Sequence, residues 1–223
     1  MRKREIARYI DHTVLGPATS PEDVRRVCEE ARVYGFYAVC IPPTYVALAR
    51  ELLKDSGVKV CTVAGFPHGQ HVPEVKASEA KAAVDQGADE VDMVINVAAL
   101  KAGDYSAVLR DIRAVREEID KAPRKVILKV ILECALLSDE EKVAGAILAK
   151  AAGADFVKTS TGFGPGGATV EDVTLLRKAV GPEMGVKAAG GIRDYETALR
   201  MIEAGATRIG ASRGVQIVQG APD

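Results

Sequence analysis

Apolar residues occur along this chain in short runs, and longer amphipathic stretches separate them. The runs predict strands at residues 11–15, 37–41, 58–64, 90–96 and 125–133, around Lys158, around Lys187, and at 208–210. Most are apolar on both faces, as parallel strands covered by helices should be. The intervening segments predict helices over residues 2–9, 21–34, 45–54, 72–86, 97–120 (in two pieces divided near Gly103), 139–153, 170–179, 194–204 and 213–218. Their ends carry stop and start signals. Ser20 precedes Pro21 as an N-cap, Ser138 and Glu141 form a capping-box pattern, and glycines stand at 35, 87 and 153.

One unit recurs: a helix, a Gly-containing turn, then a strand. Gln86-Gly87-Ala88-Asp89-Glu90, Ala152-Gly153-Ala154-Asp155-Phe156 and Ala204-Gly205-Ala206-Thr207-Arg208 show it. Eight β/α units in a chain of 223 residues predict an α/β fold, a (β/α)8 TIM barrel with a short extra N-terminal helix. It should form a single domain over residues 1–223, since neither a linker nor a low-complexity stretch divides the chain. The alternative, a doubly wound open sheet, would need G-x-G-x-x-G after its first strand, and none is present.

Four of the predicted strands break their apolar run with a charge. Asp92 does so in Val91-Asp92-Met93-Val94, and Lys129, Lys158 and Lys187 follow at intervals of 29 residues. A buried charge is costly unless it is paired. Because alternate residues of a strand share a face, a barrel would turn all four inward. They are expected toward the C-terminal half of their strands, close to the loops, at the end where barrels of this kind hold their chemistry. The alternative is lysines that snorkel at strand ends and pair with Asp92 or Glu133.

Clustered lysines have a chemical use. An amine with its ordinary pKa is neutral in only about one molecule in 2,500 at pH 7. Burial and a neighbouring cation both favour the neutral form, and a neutral lysine can attack a carbonyl to form a Schiff base. Lys158 is the candidate nucleophile. Glycine-rich segments follow the last strands: Gly162 to Gly167, Gly190-Gly191, and Gly210-Ala211-Ser212. Glycines let backbone N–H groups approach an anion, so these loops predict a phosphate site.

Composition narrows the options. The net charge of −1 and the absence of Trp give no signal for nucleic acid. No apolar run is long enough to span a membrane. A soluble, cytoplasmic protein is expected. Cys28, Cys40, Cys61 and Cys134 read as buried reduced thiols. His68 and His71 share a loop with Gly69, which makes a poor metal site. The chemistry outlined above requires no metal and no cofactor.

Five segments together resemble the deoxyribose-phosphate aldolases, a family of class I aldolases. They are Ile10-Asp11-His12-Thr13, Glu90-Val91-Asp92-Met93-Val94, Leu128-Lys129-Val130-Ile131-Leu132-Glu133, Val157-Lys158-Thr159-Ser160-Thr161-Gly162 and Lys187-Ala188-Ala189-Gly190-Gly191-Ile192-Arg193. The resemblance implies reversible cleavage of 2-deoxy-D-ribose 5-phosphate to acetaldehyde and D-glyceraldehyde 3-phosphate. It implies that Lys158 is the Schiff-base lysine and that Lys187 depresses its pKa. Asp92 would move protons with Lys187 and a water. Gly162, Gly190, Gly191, Gly210 and Ser212 would hold the phosphate, and Lys129 and Glu133 would support the catalytic groups from behind. The chain would form a homo-oligomer, a dimer or a tetramer.

Three positions depart from the family pattern. Phe163 stands where some members have lysine, Arg213 where many have a second serine, and no tyrosine follows Tyr195. Two other readings use the same features: a Schiff-base lyase or transaldolase acting on another phosphosugar, and a non-catalytic phosphosugar-binding barrel.

Overall fold

The structure is a computed structural model that describes residues 1–223. Eight parallel strands close into a barrel: β1 (Ile10–Thr13), β2 (Ala38–Cys40), β3 (Lys59–Ala64), β4 (Glu90–Val94), β5 (Ile127–Ile131), β6 (Phe156–Lys158), β7 (Gly185–Ala189) and β8 (Arg208–Ala211). Each pairs with its sequence neighbours, and β8 returns to β1 with Asp11 opposite Gly210. The helices are α1 (Lys3–Ala7), α2 (Pro21–Tyr34), α3 (Val46–Leu52), α4 (Pro73–Asp85), α5 (Val97–Lys101), α6 (Tyr105–Ile119), α7 (Asp139–Ala151), α8 (Val170–Val180), α9 (Tyr195–Glu203) and α10 (Gly214–Gln219). No helix is long and apolar enough to cross a membrane.

The expected signals set several boundaries. The Ser20 side chain accepts from the Asp23 N–H at the start of α2, and Gly35 ends that helix in the left-handed region (φ 69°). Ser138 and Glu141 cap α7 reciprocally. Several strands are shorter than the apolar runs. Ile41, Ile95 and Leu132 are fully buried yet lie beyond the strand ends, because apolarity reports burial and burial continues into the loops. Residues 43–45 form a 3-10 turn before α3.

The fold has one large core and a small apolar interior. A cluster of 54 buried apolar residues includes Val39, Val60, Val91, Met93, Leu128, Val130, Val157, Val186 and Ile209, which face outward from the strands toward the helices. Inside the barrel, the apolar cluster is only Ala38, Cys40, Cys61 and Val63. The positions that alternate with the outward set are Asp11, Glu90, Asp92, Lys129, Lys158, Lys187 and Arg208, all buried. Charged side chains therefore fill much of the space that branched apolar residues usually occupy in such barrels.

Candidate active site

Each interior charge is placed by a strand whose neighbouring residues anchor it from outside. Lys187 sits between Val186 and Ala188, Lys129 between Leu128 and Val130, and Asp92 between Val91 and Met93. Ladder register sets their relative heights: Asp92 lies opposite Lys129, Ile131 opposite Lys158, and Lys158 opposite Lys187. Asp92, Lys129 and Lys187 occupy the middles of their strands rather than the expected C-terminal halves. Only Lys158 ends its strand, because β6 stops there and the chain turns into the Gly162 loop.

Asp92 is the hub. Its Oδ2 accepts from Lys158 Nζ at 2.9 Å and from Lys187 Nζ at 2.8 Å, and its Oδ1 accepts from Lys129 Nζ at 2.7 Å. The Cys61 thiol also donates to Oδ1, at 3.2 Å. Burial alone would raise the Asp92 pKa, but Lys129, Lys158 and Lys187 together hold it well below the carboxylate range. Lys187 also donates to Asp11 at 2.5 Å. Burial opposes its charge, yet Asp11 and Asp92 outweigh that and raise its pKa. Lys129 is likewise raised, against burial, by Asp92, Cys61, Glu90 and Asp11. Its ammonium sits 2.5 Å from Glu90, where acidic and thiol groups converge.

A mouth pocket of about 380 Å³ lies above the cluster. Its walls include Lys158, Gly162, Phe163, Gly190, Gly191, Gly210 and Ser212. The structure thus brings together the candidate nucleophile and all five residues singled out for phosphate. Lys129 and Lys187 are fully buried and do not reach this wall. Gly210 has a second effect. A Cβ there would lie 3.0 Å from Lys187 Cε and 3.0 Å from Ala189 Cβ, so the glycine leaves room for the Lys187 stem. Arg213 is exposed and does not line the pocket. Phe163 stands half-exposed, edge-on to Phe66 at 5.5 Å.

Glu133 does not touch a lysine of the cluster. Its carboxylate accepts from the backbone N–H of Thr161 at 3.2 Å and from the Thr161 hydroxyl at 2.5 Å, which braces the loop that follows Lys158. Sequence reasoning assigned no role to Asp11, Glu90, Arg208 or Cys61, although all four belong to the cluster. A signal was present for three of them: each is a charge within or at the edge of an apolar strand, alternating with the outward apolar positions.

The DeoC/LacD family of aldolases matches residues 6–220. A deoxyribose-phosphate aldolase of Thermococcus kodakarensis is 61% identical over 225 residues, covering 100% of both chains. Deoxyribose-phosphate aldolase 1 of Bacillus licheniformis is 60% identical over 217 residues, covering 97% of this chain and 96% of that one. Among solved structures, the tetrameric deoxyribose phosphate aldolase of Aeropyrum pernix superposes with a TM-score of 0.90 at 36% identity, over 97% of this chain and 91% of that one. With its barrel, its buried lysine cluster and matches of this extent, the chain belongs to the DeoC/LacD family of aldolases.

Proposed function

We propose that this protein cleaves 2-deoxy-D-ribose 5-phosphate reversibly to acetaldehyde and D-glyceraldehyde 3-phosphate through a Schiff base on Lys158. One observation carries the assignment of the nucleophile. Of the three clustered lysines, Lys158 alone lines the pocket, and glycine-rich loops share that wall. The relatives named above as deoxyribose-phosphate aldolases support the substrate.

The chemistry follows from the arrangement. The neutral Lys158 amine adds to the C1 aldehyde of the open-chain sugar, and loss of water leaves an iminium. A base takes the proton of the C3 hydroxyl. The C2–C3 bond then breaks, its electrons pass to the iminium as an enamine, and glyceraldehyde 3-phosphate departs. Protonation of the enamine at C2 and hydrolysis release acetaldehyde and restore the amine. Asp92, bonded to both Lys158 and Lys187, is suited to pass protons through a water, and Lys187 supplies a fixed positive charge beside it. Gly162, Gly190, Gly191, Gly210 and Ser212 would receive the phosphate through backbone N–H groups and the serine hydroxyl. A homo-oligomer belongs to the same reading, since the Aeropyrum relative is tetrameric; sedimentation velocity tests it.

Borohydride reduction in the presence of 2-deoxyribose 5-phosphate, followed by peptide mass spectrometry, tests the proposal. An adduct on Lys158 is expected, and Lys158→Ala should lose both adduct and turnover while keeping its circular dichroism. Turnover surviving in Lys158→Ala would reject the assignment.

A further inference from the structure

The interior cluster does not balance. Its anions are Asp11, Glu90 and Asp92, and its basic side chains are Lys129, Lys158, Lys187 and Arg208. Four bases therefore share three carboxylates. The surplus matters because a buried charge without a partner is costly.

The contacts show which base is least well supplied. Lys129 reaches Glu90 at 2.5 Å, Asp92 at 2.7 Å and Asp11 at 3.7 Å. Lys187 reaches Asp11 at 2.5 Å and Asp92 at 2.8 Å. Arg208 Nη1 is held by Asp11 Oδ1 at 2.9 Å and by Glu90 Oε2 at 2.8 Å. Lys158 has a single carboxylate contact, Asp92 at 2.9 Å, shared with the other two lysines. Arginine stays protonated under all ordinary conditions, so of the four bases only a lysine can become neutral and relieve the surplus.

Resting on the Schiff-base reading, we infer that Arg208 is a positioning residue that sets the charge state of Lys158 without touching it. Arg208 lies two residues before Gly210 on the same face of β8 and so deeper than the pocket wall, with its guanidinium stacked 3.6 Å from the centre of the Tyr37 ring and 5.2 Å from that of Phe156. It is bonded to two of the three carboxylates, and these also hold Lys129 and Lys187. By taking up part of the negative charge of Asp11 and Glu90, it leaves too little for all three lysines to remain ammonium ions. The titratable and charged groups facing this interior come from every strand or its entry: Asp11 from β1, Tyr37 and Cys40 from the second, Cys61 from β3, Glu90 and Asp92 from β4, Lys129 from β5, Lys158 from β6, Lys187 from β7 and Arg208 itself from β8. Glu90 acts in the opposite direction, since it adds the third negative charge.

The two residues therefore predict shifts of opposite sign. The probes are acetaldehyde, which carries no titrating group, with adduct formation trapped by cyanoborohydride and read by intact mass, and kcat/KM for cleavage of 2-deoxyribose 5-phosphate, both followed against pH. In Arg208→Met the cluster has three lysines for three carboxylates, so the ammonium of Lys158 is favoured. The pH of half-maximal rate should rise by about one unit, which is about a tenfold loss on the acid side that recovers in alkali. Arg208→Lys should restore the native profile. Glu90→Gln should move the half-maximal pH down, and the double variant Arg208→Met/Glu90→Gln should return toward native.

A loss by the same factor at every pH, or shifts of the same sign in Arg208→Met and Glu90→Gln, would overturn the inference. Should Arg208→Met not fold, the acid-ward shift of Glu90→Gln decides alone, and an unshifted profile rejects the inference. Absence of a Lys158 adduct in the native protein would reject the Schiff-base reading itself.

Discussion

Lys76 is a lysine of the other kind, buried for structure. It lies outside the barrel on α4 and is fully buried, donating to Asp111 of α6 at 2.6 Å and to the Val94 carbonyl at the end of β4 at 2.9 Å. Burial lowers the Lys76 pKa and raises that of Asp111 despite their contact. Both directions say that desolvation outweighs pairing here, so the pair holds α4, α6 and β4 in register rather than adding net stability. Asp111→Ala should therefore cost about 3–5 kcal/mol, because it strands a buried ammonium. Lys76→Met combined with Asp111→Leu should recover most of that loss. Urea unfolding midpoints check both; a double variant as unstable as the single one would contradict the argument. In the sequence Lys76 is only one polar residue in a helix, and nothing in helical spacing marks a buried lysine whose partner lies 35 residues away.

At the scale of elements, the site depends on two loops meeting. The segment after β6 and the turn after β7 touch through backbone: the Ala168 N–H donates to the Gly190 carbonyl at 3.0 Å. A Cβ on Gly167 would lie 2.3 Å from the Gly190 oxygen, and a Cβ on Gly190 would lie 2.9 Å from Gly167 Cα, with Gly190 already at φ 89°. These glycines allow a close approach that no other residue permits. Gly167→Ala should displace the Gly190 turn from the pocket wall. We expect KM for 2-deoxyribose 5-phosphate to rise about tenfold, or about 1.4 kcal/mol of binding, with a smaller change in kcat. An unchanged KM would mean that the turn does not hold the substrate. The helix caps at Ser20 and Ser138 were legible because capping is local in sequence. The Gly167–Gly190 contact was not, because it joins residues from two different β/α units.

At the scale of the whole molecule, the barrel leaves several large apolar side chains exposed, among them Val33, Val72, Val75, Tyr105, Leu136, Ile147 and Phe163. The homo-oligomer proposed above would cover some of them. Sedimentation velocity should give a mass of two or four chains, and a species of one chain at micromolar concentration would exclude a stable assembly.

What the sequence determined by itself is what repetition and local chemistry can carry: eight β/α units, their order and approximate bounds, helix caps, glycine turns, and the three lysines and Asp92 facing one way from their strands. Period-two alternation is enough to say that Asp92, Lys129, Lys158 and Lys187 share an interior. Only the tertiary structure decided their depths and partners. Ladder register across the closed barrel sets Lys129 two residues below the level of Lys158 and Lys187, and of these three only Lys158 reaches the mouth pocket while Lys187 stays fully buried. Closure of β8 onto β1 brings Arg208 to Asp11, 197 residues earlier in the chain. The charge balance of the site is a sum over six of the eight strands, so no segment read alone contains it.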